Sequence, residues 1–320
     1  MFILEQMIAS FLYLGNKSND FVARVASPID FKGQNTGRLA KQCHSSDALK
    51  NDSLNGSNAL TQSFIKNCWA EKNSRSPFLA FAGDSHTLSM FPLGEKLSRD
   101  KDFSIFSLSR DGCTFPEQGK TSRKGCVEVM KSTENYLVSQ ANSRRKESVV
   151  IATSYLNSHF GFDGYHRRQF KKHPGGTTDE VRANLRDYAL SLKRLADKLR
   201  SSNSHLIVVA PLPQHPLYLP EICTEQWFKP IWGLPKGCNQ TSAQFLQKQR
   251  KHIIKALRLL EKDTSNLYVY EPFHALCENS ECSTRKNGKF LYSDDDHLSA
   301  NGIDYMYGHF VGFMRSKKLL

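Results

Sequence analysis

The chain predicts an α/β domain in three layers, with a five-stranded parallel sheet between helices, and three observations carry that expectation. Short apolar runs recur at Phe78–Ala82, Phe103–Leu108, Ser148–Thr153, Leu206–Ala210 and Leu267–Tyr270, as strands buried on both faces do. Helical patterns lie between them, at about 86–99, 127–142, 178–201 and 241–262. Strand and helix alternate throughout, which calls for parallel pairing through right-handed crossovers.

Taken in order, Met1 to Leu14 is apolar but interrupted by Glu5 and Gln6, with no Lys or Arg before it. It makes a poor signal peptide and a poor membrane span. A precursor remnant, an atypical signal and an N-terminal helix stay open. Residues from Gly15 to Thr61 are rich in Ser, Asn, Lys and Gly and read as irregular, with Cys43 as their one anchor. The expected organisation is an irregular extension over 1–64 and one α/β domain over 65–320. Of 320 residues 39% are hydrophobic, enough for a sizeable core, yet no apolar run nears the roughly 18 residues of a membrane span.

The first strand ends at Gly83-Asp84-Ser85-His86, and Leu88, Phe91, Leu93 and Leu97 continue as a helix. A serine on such a turn stands at the carboxyl edge of the sheet, beside the partly positive end of a helix. The plain alternative is that Asp84 and Ser85 only cap the helix. Near the other end, Tyr292-Ser-Asp-Asp-Asp-His-Leu-Ser299 contains Asp294-x-x-His297, before a closing helix from about Ser299 to Arg315. An Asp three residues before a His can hydrogen-bond one ring nitrogen and leave the other free as a general base. This makes Ser85 a candidate nucleophile, His297 its base, and Asp294 the residue that holds His297.

In these blocks the sequence resembles the SGNH (GDSL-like) hydrolase superfamily, and most closely the extracytoplasmic SGNH domain fused to membrane acyltransferases of the acyltransferase-3 type. Gly83-Asp84-Ser85-His86 resembles the first block, Gly112-Cys113 the second, and Asp294 to Ser299 the last. The resemblance runs from about Cys68 to the C-terminus. It implies a flavodoxin-like strand order, 2-1-3-4-5. It also implies an oxyanion hole built from the backbone N–H groups of Ser85 and Gly112, with Asn157 as a third candidate. The family's Asn follows the third strand in Gly-x-Asn, whereas Asn157 comes later, in Ile151-Ala-Thr-Ser-Tyr-Leu-Asn157. Asp84 is expected to order the turn and His86 to be structural, while Asp295 and Asp296 face solvent or hold their loop. The membrane half of a fused acyltransferase is absent from this chain.

The connections from Ser154 to Thr177 and from Pro211 to Gln240 are long and leave the same sheet edge as Ser85. The first carries Arg167-Arg168 and Lys171-Lys172, the second Trp227, Trp232 and, after Pro211, five more prolines. Aromatic faces on long loops suit sugar rings, or they simply pack the loops onto the body. Eight cysteines, at 43, 68, 113, 126, 223, 238, 277 and 282, fall into four sequential pairs closing short loops. Four disulfides in an oxidising compartment is the economical reading, and the pairs Cys113–Cys126 and Cys277–Cys282 are expected. Buried thiols are the alternative, and connectivity is not fixed by spacing. Cys277-x4-Cys282 lacks a matching second ligand pair, so no metal is expected.

The formal charge of +13 favours anionic partners, but the basic residues are scattered and frame no nucleic-acid-binding module, so no nucleic acid is expected. Sequons at Asn16, Asn51, Asn55 and Asn239 matter only in a eukaryotic secretory host. Together the readings call for an extracytoplasmic, cofactor-free O-acyltransferase, most simply an O-acetyltransferase, acting on a cell-surface or extracellular glycan with acyl groups from a membrane acyltransferase partner. A carbohydrate acetyl-esterase or lipase-like hydrolase is the alternative. A non-catalytic glycan-binding protein is the alternative of another class.

Overall fold

The structure, a computed structural model, describes residues 39, 42–44, 64–72, 76–117, 125–144, 146–160, 178–216, 223 and 238–320. Its central sheet has six strands. In chain order they are β1 (Trp69–Ala70), β2 (Phe78–Gly83), β3 (Ser104–Ser109), β4 (Val149–Thr153), β5 (His205–Val209) and, after a short β6 (Gln240–Ser242) outside this sheet, β7 (Leu267–Tyr270). They lie in the order β1-β3-β2-β4-β5-β7, with β3 to β7 parallel. The five expected strands are thus all present, in the expected order 2-1-3-4-5. The sixth, β1, pairs antiparallel with β3 at the edge. Two residues are too few to show a period, so nothing in the sequence announces it. Trp69 fixes it there, its ring 5.3 Å from Phe78 and 5.0 Å from Phe106, with the Arg144 guanidinium 4.8 Å from the ring.

Alternation along the strands divides the core into two layers. Phe78, Ala80, Ala82, Phe106, Leu108, Val150, Ala152, Leu206, Val208, Leu267 and Val269 face one side. There they meet α2 (Cys126–Arg144), α3 (Leu156–Phe160), α4 (Thr178–Arg200) and α5 (Ala243–Lys262). Leu79, Phe81, Ile105, Val149, Ile151, Ile207 and Val209 face the other side. They are covered by α1 (Ser85–Asp100) and by α7 (Ala300–Ser316), the expected closing helix. Each side chain of this kind contributes about 1.5–3 kcal/mol when fully buried. The edge-to-face pair Phe81 and Phe91, 5.7 Å apart, seats α1 on β2.

Differences from the sequence reading are local. α5 starts at Ala243 rather than 241, because Gln240–Ser242 forms β6 and the Ser242 hydroxyl accepts the Phe245 N–H as a cap. β6 belongs to a small antiparallel sheet with β8 (Cys277–Glu278) and β9 (Glu281–Ser283), which follow the short α6 (Phe273–Leu276). A further hairpin pairs β10 (Arg285–Lys286) with β11 (Lys289–Phe290). The connection after β4, expected to be a loop throughout, opens with α3.

All eight cysteines are in disulfides, paired sequentially: Cys43–Cys68, Cys113–Cys126, Cys223–Cys238 and Cys277–Cys282. The first ties part of the N-terminal extension to the body. The Ser109 N–H donates to the Cys43 carbonyl, and His44 Nδ1 lies 2.8 Å from the Ser109 hydroxyl. Most of the extension, including the sequons at Asn16, Asn51 and Asn55, lies outside the described residues.

Candidate active site

Two turns on the carboxyl edge of the sheet build the site. The first joins β2 to α1. Gly83 has φ +154, and a Cβ there would lie 1.6 Å from the Thr153 carbonyl oxygen, so only glycine lets β2 run this close to the end of β4. Asp84 is the N-cap of α1. Its Oδ1 accepts the His86 N–H at 2.9 Å and its Oδ2 the Tyr155 N–H at 2.6 Å, which straps the helix start to the segment after β4. His159 Nε2 is 3.6 Å from the same Oδ2. Burial alone would raise the Asp84 carboxyl, but His159, His86 and the Tyr155 N–H outweigh it and hold it below the usual carboxylate range. Capping is therefore done by Asp84, and Ser85 is left facing the second turn.

That turn runs from Tyr292 to Leu298, which bridge each other at its neck. Asp294 Oδ1 accepts the backbone N–H groups of Asp296 and His297, at 3.0 and 2.7 Å. These bonds wind the chain so that the His297 side chain returns over Asp294. Ser299 then caps α7, its hydroxyl accepting the Gly302 N–H and donating to the Phe290 carbonyl. Gly302 permits the close approach, since a Cβ there would sit 2.1 Å from the Leu291 carbonyl oxygen. The loop after β5 is stitched to the same turn, the His215 N–H donating to the Asp295 carbonyl at 2.8 Å.

The two turns meet at His297. Its Nε2 is 2.9 Å from the Ser85 hydroxyl, and its Nδ1 is 2.9 and 3.0 Å from the two oxygens of Asp294. Ser85, His297 and Asp294, far apart in sequence, thus stand in one hydrogen-bonded line. Asp296, expected to face solvent or hold its loop, instead turns inward to His297. It is only 8% exposed, and its Oδ1 lies 2.7 Å from His297 Nδ1. Burial by itself would lower the His297 pKa, but Asp294 and Asp296 raise it well above the ordinary imidazole range. Asp295, crowded by burial and by Asp296 and Asp294, has its carboxyl pushed up to about 6.

His86 is buried, its ring stacked on Tyr155 at 4.8 Å and tilted against the His297 ring at 4.6 Å, with Nε2 3.7 Å from Asp296. The Tyr155 hydroxyl donates to Asp296; burial, helped by the neighbouring carboxylates, pushes the phenol pKa well up. Tyr155, His159 and Asp296 carry no motif of their own. The available signal is position, just past the carboxyl end of the strand beside β2 or within the acidic run. His86, Asp296 and His297 gather three possible metal-ligating atoms within 4.8 Å of one another. His297, however, has both ring nitrogens committed, to Asp294 and Ser85. A metal could take one only by breaking a bond of the line.

Gly112, φ +66, lies in the turn after β3 closed by the Cys113 N–H to Arg110 carbonyl bond. Register places Ser109 opposite Gly83, so Gly112 stands on the same edge as Ser85. Among the described residues neither N–H group finds an acceptor. Asn157 lies in α3, and its side-chain Oδ1 is buried with no partner among the described residues. Arg167 to Lys172, Trp227 and Trp232, on the two long connections, lie outside the described residues.

A family model described as the SGNH domain fused to AT3 domains matches residues 42–311. Among solved structures the chain is similar to a putative SGNH hydrolase from Slackia heliotrinireducens, at 13% identity over 75% of this chain and 99% of that one, TM-score 0.40. It is similar to TesA at 9% identity over 75% of this chain and 99% of that one, TM-score 0.36. A third likeness is to the protein YxiM from Bacillus subtilis, at 10% identity over 76% and 57%, TM-score 0.37. No match among curated proteins was found.

Proposed function

Because the chain belongs to the SGNH family, in the branch whose domains are fused to AT3 acyltransferase domains, we propose that it is a serine-dependent O-acyltransferase, transferring acetyl groups to a cell-surface or extracellular glycan. The observation that carries this reading is the line from Ser85 through His297 to Asp294, with both contacts of His297 at hydrogen-bond distance. A serine hydroxyl is a weak nucleophile until a neighbouring base takes its proton as it attacks.

In the reaction, Ser85 Oγ forms a bond to the acyl carbonyl carbon while its proton passes to His297 Nε2. The carbonyl π pair moves onto oxygen, and the N–H groups of Ser85 and Gly112 receive that oxyanion, each such donor lowering the barrier by roughly 3–4 kcal/mol. Collapse expels the donor's alkoxide, which takes the proton from His297 and leaves an acyl ester on Ser85. The acceptor hydroxyl then gives its proton to His297, attacks the ester, and the Ser85 oxygen departs with the proton returned. Asp294 keeps Nδ1–H pointing away from Ser85, so that Nε2 is the basic nitrogen throughout.

Among the described residues no helix is long and apolar enough to cross a membrane. The acyl group would be delivered by a membrane acyltransferase, the kind of domain found fused to relatives. The four disulfides fit an oxidising, extracytoplasmic setting. The test gives purified protein p-nitrophenyl acetate with and without candidate oligosaccharides, and follows acetylated sugar and free acetate. Acetylated sugar formed at the expense of acetate, and lost in Ser85→Ala, supports transfer. Unchanged acetate release, with efficient deacetylation of acetylated glycans, replaces transfer by esterase activity.

A further inference from the structure

The acidic run offers His297 two carboxylates, and they are not equivalent. Asp294 has a side chain 41% exposed and uses Oδ1 on two backbone N–H groups as well as on the ring. Asp296 has a side chain 12% exposed and stands 2.7 Å from the same Nδ1. A charge in the drier position acts on the ring with less screening. Asp296 is also held from three sides. His86 Nε2 approaches its Oδ2, the Tyr155 hydroxyl donates to it, and the His86 ring is packed between Tyr155 and His297. Among the described residues His86 Nε2 is buried without a hydrogen-bond partner, and this carboxylate lies 3.7 Å from it.

We propose that Asp296 is a second carboxylate for His297, a positioning residue that shares with Asp294 the orientation of the ring and the stabilisation of its protonated form, while His86 and Tyr155 hold it in place. This rests on the reading of Ser85 and His297 as nucleophile and base. The ordinary arrangement of one orienting Asp leaves the base dependent on a single contact. Here Nδ1 hydrogen-bonds Asp294 and has the Asp296 carboxylate 2.7 Å away, so loss of either leaves the ring beside one carboxylate. The arrangement also sets the pH at which the base is available, since each carboxylate favours the protonated ring. The groups facing His297 are Asp294, Asp295 and Asp296 from its own turn, His86 from α1 and Tyr155 from the segment after β4. Asp84 and His159 lie behind them.

The experiment measures kcat/KM against pH on p-nitrophenyl acetate for the full chain and its Asp294→Asn, Asp296→Asn, double and Tyr155→Phe variants. The ring nitrogens of His297 are followed in parallel by NMR on histidine-labelled protein. The parent should show an acidic limb above the ordinary imidazole range. Asp296→Asn should move that limb, and the His297 titration, to lower pH. Each single Asn variant should lose less than the roughly 10²–10⁴-fold that a general base contributes, and the double variant should lose all of it. Tyr155→Phe removes a donor from Asp296, strengthens its pull on the ring, and should move the limb upward. A merely structural role would not produce shifts of opposite sign. Superimposable profiles and titrations for parent and Asp296→Asn overturn the proposal. Should that variant not fold, an unmoved limb in Tyr155→Phe overturns it instead. Undiminished turnover in Ser85→Ala would remove the acyl-enzyme reading alone, because the His297 titration in that background still decides whether Asp296 acts on the ring.

Discussion

Replacing Gly83 by alanine tests whether the site depends on how closely β2 and β4 end together. The new Cβ would lie 1.6 Å from the Thr153 oxygen, less than half the 3.4 Å at which ordinary contact begins, and 2.7 Å from the Thr153 carbonyl carbon. Both are backbone atoms, so no side chain can rotate away. The φ of +154 is itself one that alanine rarely adopts. Strained backbone and overpacking each cost about 1–3 kcal/mol, and in a domain of this size the sum lowers Tm by on the order of 5–15 °C. To relieve the clash the turn must move, carrying Asp84 from the Thr153 carbonyl it now binds at 3.3 Å and Ser85 from His297. A misplacement near 1 Å costs about 10²-fold in rate, so hydrolysis of p-nitrophenyl acetate should fall by at least that much in protein still folded below its Tm. Gly308→Ala is the control. It sits exposed on α7 with no atom within 4 Å of the new carbon, and should gain roughly 0.5–1 kcal/mol from helix propensity without touching activity. A Gly83→Ala protein with the parent's Tm and turnover would refute the argument from close approach.

His297→Ala should lower turnover by about 10²–10⁴-fold, the contribution of a general base, with near-parental Tm by calorimetry. Replacing both Cys113 and Cys126 by serine opens a loop of sequence separation 13. It should cost about 3 kcal/mol in the chain-entropy model and lower activity more than it lowers helix content, as seen by circular dichroism alongside the ester assay. Asp295, whose carboxyl is pushed from 3.8 up to about 6, holds its proton more tightly folded than unfolded between those values. It therefore weighs against the folded state as pH rises through that window. Asp295→Asn should leave denaturant stability unchanged at pH 3.5 and raise it by about 1–2 kcal/mol at pH 7.

The sequence by itself determined the parallel sheet, because strands buried on both faces must read as apolar runs and helices between them as amphipathic ones. Phe78–Ala82 and Leu267–Tyr270 were legible for that reason. Trp69–Ala70 and Gln240–Ser242 were not, being too short to show a period. Gly83-Asp84-Ser85 and Asp294-x-x-His297 were legible as chemistry because their spacing is local: a cap, a turn, and a ring folding back over a carboxylate. Short sequential spacings made four local disulfides the economical reading, but only the fold fixed which cysteines pair. Only the tertiary structure decided which members of the run Asp294-Asp295-Asp296 reach His297. Three consecutive carboxylates look alike until the bonds from Asp294 Oδ1 to the turn fix their directions, and until His86 and Tyr155, arriving from α1 and from beyond β4, close over one of them. Tyr155 and His159 entered the site in the same way, through strand adjacency, since β4 lies beside β2 only after the sheet has formed.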